Sequence, residues 1–161
     1  METVYIETSI VSHATARDRT DPVVSVLQQQ ARMWWDLECP KFSLVTSQLV
    51  LDEASLGDPD AAAERLKLLS GIPLIPTDEQ VEAVANELTR RSLIPAKAYL
   101  DALHVASAAV GGAQFLLTQN CRHIANAHAL PGVYRMLEEL GYPGLLIYTP
   151  AEFLGNSDDD T

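Results

Sequence analysis

Apolar and polar positions alternate along this chain in two rhythms that follow one another repeatedly. Short β-branched or aromatic runs predict strands at Thr3–Ile6, residues 42–45, 72–75 and 145–148, and Phe115–Leu117. Pro73 limits the third of these to a short or edge strand. Between them, spacing of three and four predicts helices over residues 23–37, 48–56, 60–69, 79–91, 95–111 and 133–140. Val23, Val26, Leu27, Met33 and Trp34 are the core positions expected of the first, with Trp34 anchoring it. Thr8 or Ser9 is placed to cap a short helix after the first strand, and residues 13–22 read as a loop. Residues 120–129 read as partly helical. Gly57-Asp58-Pro59, Gly71 and Gly141 close helices, and Pro95 and the Gly111-Gly112 pair bracket the most apolar one. Strands alternating with helices mean an α/β fold, a mostly parallel central sheet covered on both faces.

Three helical or strand-end acids break the pattern. Asp101 lies in the apolar segment 95–111, with Lys97, Ala98, His104, Val105 and Ala108 at helical spacing. A buried carboxylate there costs several kcal/mol, roughly, unless it is compensated. Lys97 or His104 offers that compensation, or a site supplying positive charge does. Glu53 shares its helix face with Leu49, Val50 and Leu56, whereas Asp52 falls with Gln48 and Ser55, so Glu53 is expected to point inward and Asp52 outward. Glu7 directly follows the first strand, and Asn120 lies just past Phe115–Leu117. In parallel sheets ligands bind beyond the carboxyl ends of strands, where both positions fall. Converging oxygen ligands suit Mg²⁺ or Mn²⁺ and hydrolytic attack on phosphorus.

Composition narrows the choice. The 161 residues are 47% apolar and 20% charged, enough for one core. A single domain over residues 1–154 is expected, followed by an acidic, disordered tail over 155–161. No apolar run reaches membrane-spanning length and the N-terminus lacks a signal-like segment, so a cytoplasmic protein is expected. Net charge is −11, the wrong sign for an extended basic surface on nucleic acid. It leaves room for a compact metal-dependent site. Cys39 and Cys121 have no metal-type spacing with His104, His123 or His128, and two cysteines make no disulfide framework. No phosphate-cradling glycine loop and no nucleophile elbow occur.

Four segments, VYIETSIVS (4–12), SQLVLDEAS (47–55), DALHVASA (101–108) and FLLTQNCRHIANA (115–127), resemble in order and spacing the PIN-domain family, in particular VapC-type toxins. The resemblance spans nearly the whole chain. It implies a three-layer α/β/α sandwich and a Mg²⁺- or Mn²⁺-dependent endoribonuclease, the toxin of a type II toxin–antitoxin pair. Glu7, Glu53 and Asp101 would hold the metal and Asn120 would complete the catalytic set. Thr8, Ser9 and Thr118 would orient ligands or water, and Arg122 would contact phosphate. The family commonly has Asp where Glu7 and Asn120 stand here. A small antitoxin covering the site, with an Arg among the acids, and a homodimer through residues 23–37 and 60–69 are the implied partners, besides RNA. A PIN-like binding or regulatory module without turnover is the alternative reading, and a phosphatase or DNA nuclease on the same scaffold a third.

Overall fold

The computed structural model describes residues 1–155. The acidic tail expected over 155–161 lies, from residue 156 onward, outside the described residues. The described residues form five strands, β1 (Thr3–Ile6), β2 (Ser43–Ser47), β3 (Leu74–Ile75), β4 (Phe115–Leu117) and β5 (Leu146–Tyr148). Eight helices are interleaved: α1 (Thr8–Thr15), α2 (Pro22–Met33), α3 (Gln48–Ala54), α4 (Pro59–Leu69), α5 (Glu79–Arg90), α6 (Tyr99–Val110), α7 (Leu130–Glu139) and α8 (Pro150–Leu154).

All five strands are parallel, in the order β3-β2-β1-β4-β5. Tyr5 pairs with Val45 on one side and Leu116 on the other. Parallel strands covered on both faces should be apolar throughout. Accordingly Val4, Tyr5, Ile6, Leu116 and Leu117 are fully buried. Helices α1 to α4 and α8 pack on one another, and α5, α6 and α7 form the second helical group. This is the α/β/α sandwich the alternation predicts. From β1 the chain moves outward to β2 and β3, then returns to the other side of β1 as β4. Loops after β1 and β4 therefore diverge, leaving a crevice at their carboxyl ends.

Several expected elements change phase or length. Helix α2 begins at Pro22, capped by Asp21, whose side chain accepts from Val23 and Val24 N–H. It buries Gln28 and Ala31, while Val23 is 70% and Val26 49% exposed. Met33 is also exposed, and Leu27 is half-buried; of the expected core set, Trp34 alone is fully buried. The reason is polar: Gln28 accepts from Arg19 N–H and donates to the Arg17 carbonyl, satisfying the backbone that enters α2. Trp34 opens a π-helical turn through Glu38 rather than continuing α2, and it stacks on Phe42.

Helix α1 takes residues 13–15 out of the expected loop, and Leu56 lies beyond the end of α3, 67% exposed. Residues 120–129 contain no helix; α7 starts at Leu130. The apolar helix divides into a 3₁₀ turn (Ala96–Ala98) and α6, so Asp101 sits in a first helical turn, not mid-helix.

Gly111 ends α6 where β3 passes. A Cβ there would sit 2.5 and 2.7 Å from Ile75 side-chain atoms and 2.8 Å from the Ser107 carbonyl oxygen. Ile75 has side-chain freedom, but the Ser107 oxygen is backbone. Gly111→Ala is therefore expected to destabilise the protein by about 1–3 kcal/mol in urea unfolding.

Candidate active site

The crevice between β1 and β4 is closed at its floor by hydrogen bonds between the two strand ends. Glu7 N–H donates to the Leu117 carbonyl at 3.1 Å. Glu7 has extended backbone and serves as the N-cap of α1, the role expected of Thr8 or Ser9. Its carboxylate accepts from Ser9 N–H at 3.1 Å, from the Ser9 hydroxyl, and from the Thr118 hydroxyl at 2.6 Å. An anion at a helix N-terminus with three donors is well compensated, so Glu7 remains only 5% exposed. Thr118 Oγ1 also accepts from Asn120 N–H at 3.0 Å, and Ser9 Oγ accepts from Gln119 N–H at 2.8 Å.

Glu53 arrives in the last turn of α3, a helix capped by the Ser47 side chain. It points inward and Asp52 outward, where Asp52 accepts from Gln48. Thr8 Oγ1 donates to Glu53 Oε1 at 2.7 Å, and His104 Nε2 lies 2.6 Å from the same oxygen. The network continues inward: His104 Nδ1 to Tyr5 OH at 2.9 Å, and Tyr5 OH to Ser47 Oγ at 2.7 Å. Because a carboxylate only accepts, Nε2 carries a proton toward Glu53. Ser47 O–H donating to Tyr5, and Tyr5 O–H to Nδ1, then satisfies every group. His104, Tyr5 and Ser47 are fully buried. Burial pushes the Glu53 pKa up, but the hydrogen bonds from His104 and Thr8 outweigh it and hold it below the usual carboxylate value.

Asp101 reaches the same region from α6. Among the described residues it forms no ion pair with Lys97, so that candidate compensation is not used. Burial raises its pKa; the charge of Glu7 adds to the rise, while His104, His123 and a hydrogen bond from Asn120 oppose it. Asn120 accepts His123 N–H on its side-chain oxygen at 3.0 Å, which turns its amide toward Asp101. Glu53 and Asp101 line one pocket of ≈ 360 Å³, together with Lys97, Arg122 and His123.

The site thus gathers Glu7, Glu53, Asp101 and Asn120, with Thr8, Ser9, Thr118 and Arg122 around them. Residue patterning misses Tyr5, Ser47 and Gln119. Tyr5 precedes Glu7 by two positions on a strand, so alternation already places both on one face. Gln119 has no such signal. Its amide donates to the Leu27 carbonyl and its oxygen lies 2.6 Å from His13 Nδ1, tying the β4 end to α1 and α2.

Among the described residues no three acid, histidine or cysteine side chains draw together tightly enough to enclose an ion. The donor set is nevertheless one of hard oxygens, and two carboxylates face one open pocket. That combination fits a largely hydrated Mg²⁺ or Mn²⁺, which keeps several waters and uses one or two carboxylates.

No helix among the described residues is long and apolar enough to cross a membrane. No curated protein sequence matches the chain. Among solved structures, a chain in the crystal structure of VapBC2 from Rickettsia felis bound to a DNA fragment from their promoter is similar, with a TM-score of 0.55 and 17% identity over 91% of this chain and 98% of that one. That likeness shows a shared fold. The family model described as PIN domain matches residues 4–128, most of the chain and every segment that builds the crevice. The chain belongs to the PIN-domain family.

Proposed function

We propose that the protein is a metal-dependent endoribonuclease and the toxin of a toxin–antitoxin pair. The observation that carries this reading is that Glu53 and Asp101, from separate helices, line one open pocket, with the Glu7 carboxylate at the end of β1 close enough to raise the Asp101 pKa. When bound, Mg²⁺ or Mn²⁺ would supply a Lewis acid and an activated water for attack on phosphorus. Glu53 and Asp101, which line one pocket, would hold the ion together with Glu7. Thr8 and His104 fix Glu53, Thr118 and Ser9 fix Glu7, and Asn120 fixes Asp101. Arg122 faces the pocket and would take a phosphate oxygen. The products would be a 3′-hydroxyl and a 5′-phosphate.

The fold neighbour from a VapBC2 complex supports an antitoxin partner, whose Arg would find two carboxylates in an open pocket. Val23, Val26, Met33 and Leu37 are exposed on α2 and the turn after it, which supports a homodimer contact through residues 23–37.

The purified protein is expected to cut single-stranded RNA with Mn²⁺ or Mg²⁺, to stop in EDTA, and to leave DNA and phosphomonoesters intact. Co-purification with the product of an adjacent short gene is expected to suppress that activity. One observation favours the binding-module reading: Asn120 is neutral and its side-chain oxygen is already engaged by His123. Mn²⁺ binding by calorimetry without RNA cleavage would select that reading instead.

A further inference from the structure

The pocket holding Glu53 and Asp101 does not end at Arg122. A second hollow of ≈ 540 Å³ adjoins it, and Lys97, Arg122 and His123 line both. The two make one trough. Its far part adds Ser92, Asn126 and His128 and contains no acid, although the chain carries a net charge of −11.

Of the nine Lys and Arg residues outside this trough, five are engaged by carboxylates or carbonyls, and Arg17, Arg19, Lys67 and Arg135 line neither hollow. Arg32, Lys41, Arg90 and Arg91 each pair with a carboxylate. Arg65 donates to the carbonyls of Ala54 and Leu56. Lys97 and Arg122 are exposed and, among the described residues, have no ion pair, even with two acids lining the same pocket. The segment presenting Arg122, His123 and His128 is held from within. Asn120 accepts from His123 N–H, and Asn126 accepts from the N–H groups of His128 and Ala129 while donating to the Arg122 carbonyl. Asn126 spends its polar groups on backbone and Asn120 divides its own between backbone and Asp101, so neither occupies the basic side chains.

We propose that this trough is a phosphate track for single-stranded nucleic acid, holding the strand on one side of the scissile bond only. The inference rests on the nuclease reading above. Phosphate oxygens are the chemistry that two free cations flanked by histidines recognise. No Trp, Tyr or Phe lines either hollow, so the track reads backbone rather than stacking bases, and tolerates sequence. Asp101 is half-buried, so the scissile phosphate has to come down to the protein surface, which a flexible strand does more readily than a stiff duplex. The acids stand at one end of the cationic wall, which makes the grip one-sided.

The test separates binding from cleavage. Anisotropy of an end-labelled oligoadenylate of about 12 nucleotides is followed in EDTA while salt is raised from about 20 to about 200 mM. Lys97→Ala and Arg122→Ala are each expected to shallow the log–log salt slope by about 0.7, the single-strand increment per phosphate. Lys67→Ala and Arg135→Ala, exposed on α4 and α7, remove the same charge elsewhere and are expected to leave the slope unchanged. In cleavage, shortening the substrate on one side of the cut is expected to slow turnover, and shortening the other side is not. Absence of binding by the unmodified protein at low salt, equal slopes in all four variants, or equally tight binding of a duplex overturns the track. A slope that falls as expected in a protein that never cuts RNA upholds the track and sinks the nuclease reading. Normal cutting with unaltered slopes does the reverse.

Discussion

Asp101→Asn is expected to lower Mn²⁺-supported RNA cleavage by more than about 100-fold while raising the melting temperature of the metal-free protein at pH 7. Partners that merely orient a metal ligand are worth roughly 10–100-fold, and Asp101 is proposed as a ligand itself. The stability gain follows from its surroundings. Burial, then the nearby Glu7 charge, raise its pKa; His104, His123 and the Asn120 hydrogen bond only partly offset them. A carboxyl whose folded pKa exceeds its unfolded value of about 3.9 contributes most below that value. Its contribution falls as pH rises toward the folded pKa, and the cost grows as the carboxyl ionises. The first-turn position on α6 returns about 0.3–1 kcal/mol through the helix dipole, so the net gain is modest, a rise of about 2 °C. The amide keeps an oxygen for Asn120 and removes the charge. Thermal melts in EDTA at pH 4 and pH 7 check this: the variant should lead at pH 7 and the gap should close at pH 4. Adding Mn²⁺ should raise the unmodified protein's midpoint and leave the variant's alone. A variant that melts lower at pH 7 in EDTA would identify Asp101 as a structural anion.

That same residue illustrates what was legible. An acid in an apolar segment signals a cost that something must offset, and this needs no coordinates. What offsets it is another matter. Lys97 is correctly spaced for a continuous helix, but the 3₁₀ turn at Ala96–Ala98 interrupts the register, and Asn120, distant in sequence, supplies the hydrogen bond. The parallel sheet was readable because strands buried on both faces are apolar without interruption, as Val4–Tyr5–Ile6 and Leu116–Leu117 are. Helix α2 misled because its buried face is built on Gln28 and Ala31, and periodicity scores a buried glutamine as solvent-facing. Glu53 was placed correctly because Asp52 beside it has a polar face to occupy. The buried chain behind Glu53 was not, because Ser47, Tyr5 and His104 come from three elements whose adjacency depends on strand order. Tyr5 lies on a central strand, and burial pushes its hydroxyl pKa well above the usual tyrosine value. Alternation puts Tyr5 on the face of Glu7, but nothing local marks its hydroxyl as a link in a polar chain.

Removing that chain is expected to have the largest effect on stability. His104→Ala deletes a fully buried ring and leaves Tyr5 O–H without its acceptor and Glu53 Oε1 without its inner donor. A buried group left unpaired costs about 1–3 kcal/mol, and the void adds to it. A loss of about 3–4 kcal/mol is expected, or roughly 10 °C in midpoint. The loss should depend on pH with a definite sign. In the unmodified protein the Glu53 pKa is held below its unfolded value, so its contribution is present above about pH 4.3 and fades as pH falls through the folded pKa. Without His104 the burial effect dominates and the sign reverses. The stability gap between the two proteins should therefore widen from acid toward pH 7. Tyr5→Phe separates positioning from packing, because it keeps the ring and removes only the oxygen that sets His104 Nδ1 as acceptor. It is expected to cost about 1 kcal/mol and to weaken Mn²⁺ binding about 10-fold or more, as loss of an orienting partner does. Nitrogen chemical shifts of His104 report the tautomer directly: the Nε2–H form should dominate in the unmodified protein and lose population in Tyr5→Phe. If the tautomer and the Mn²⁺ affinity both stay fixed while stability falls, Tyr5 serves the core and not the carboxylate.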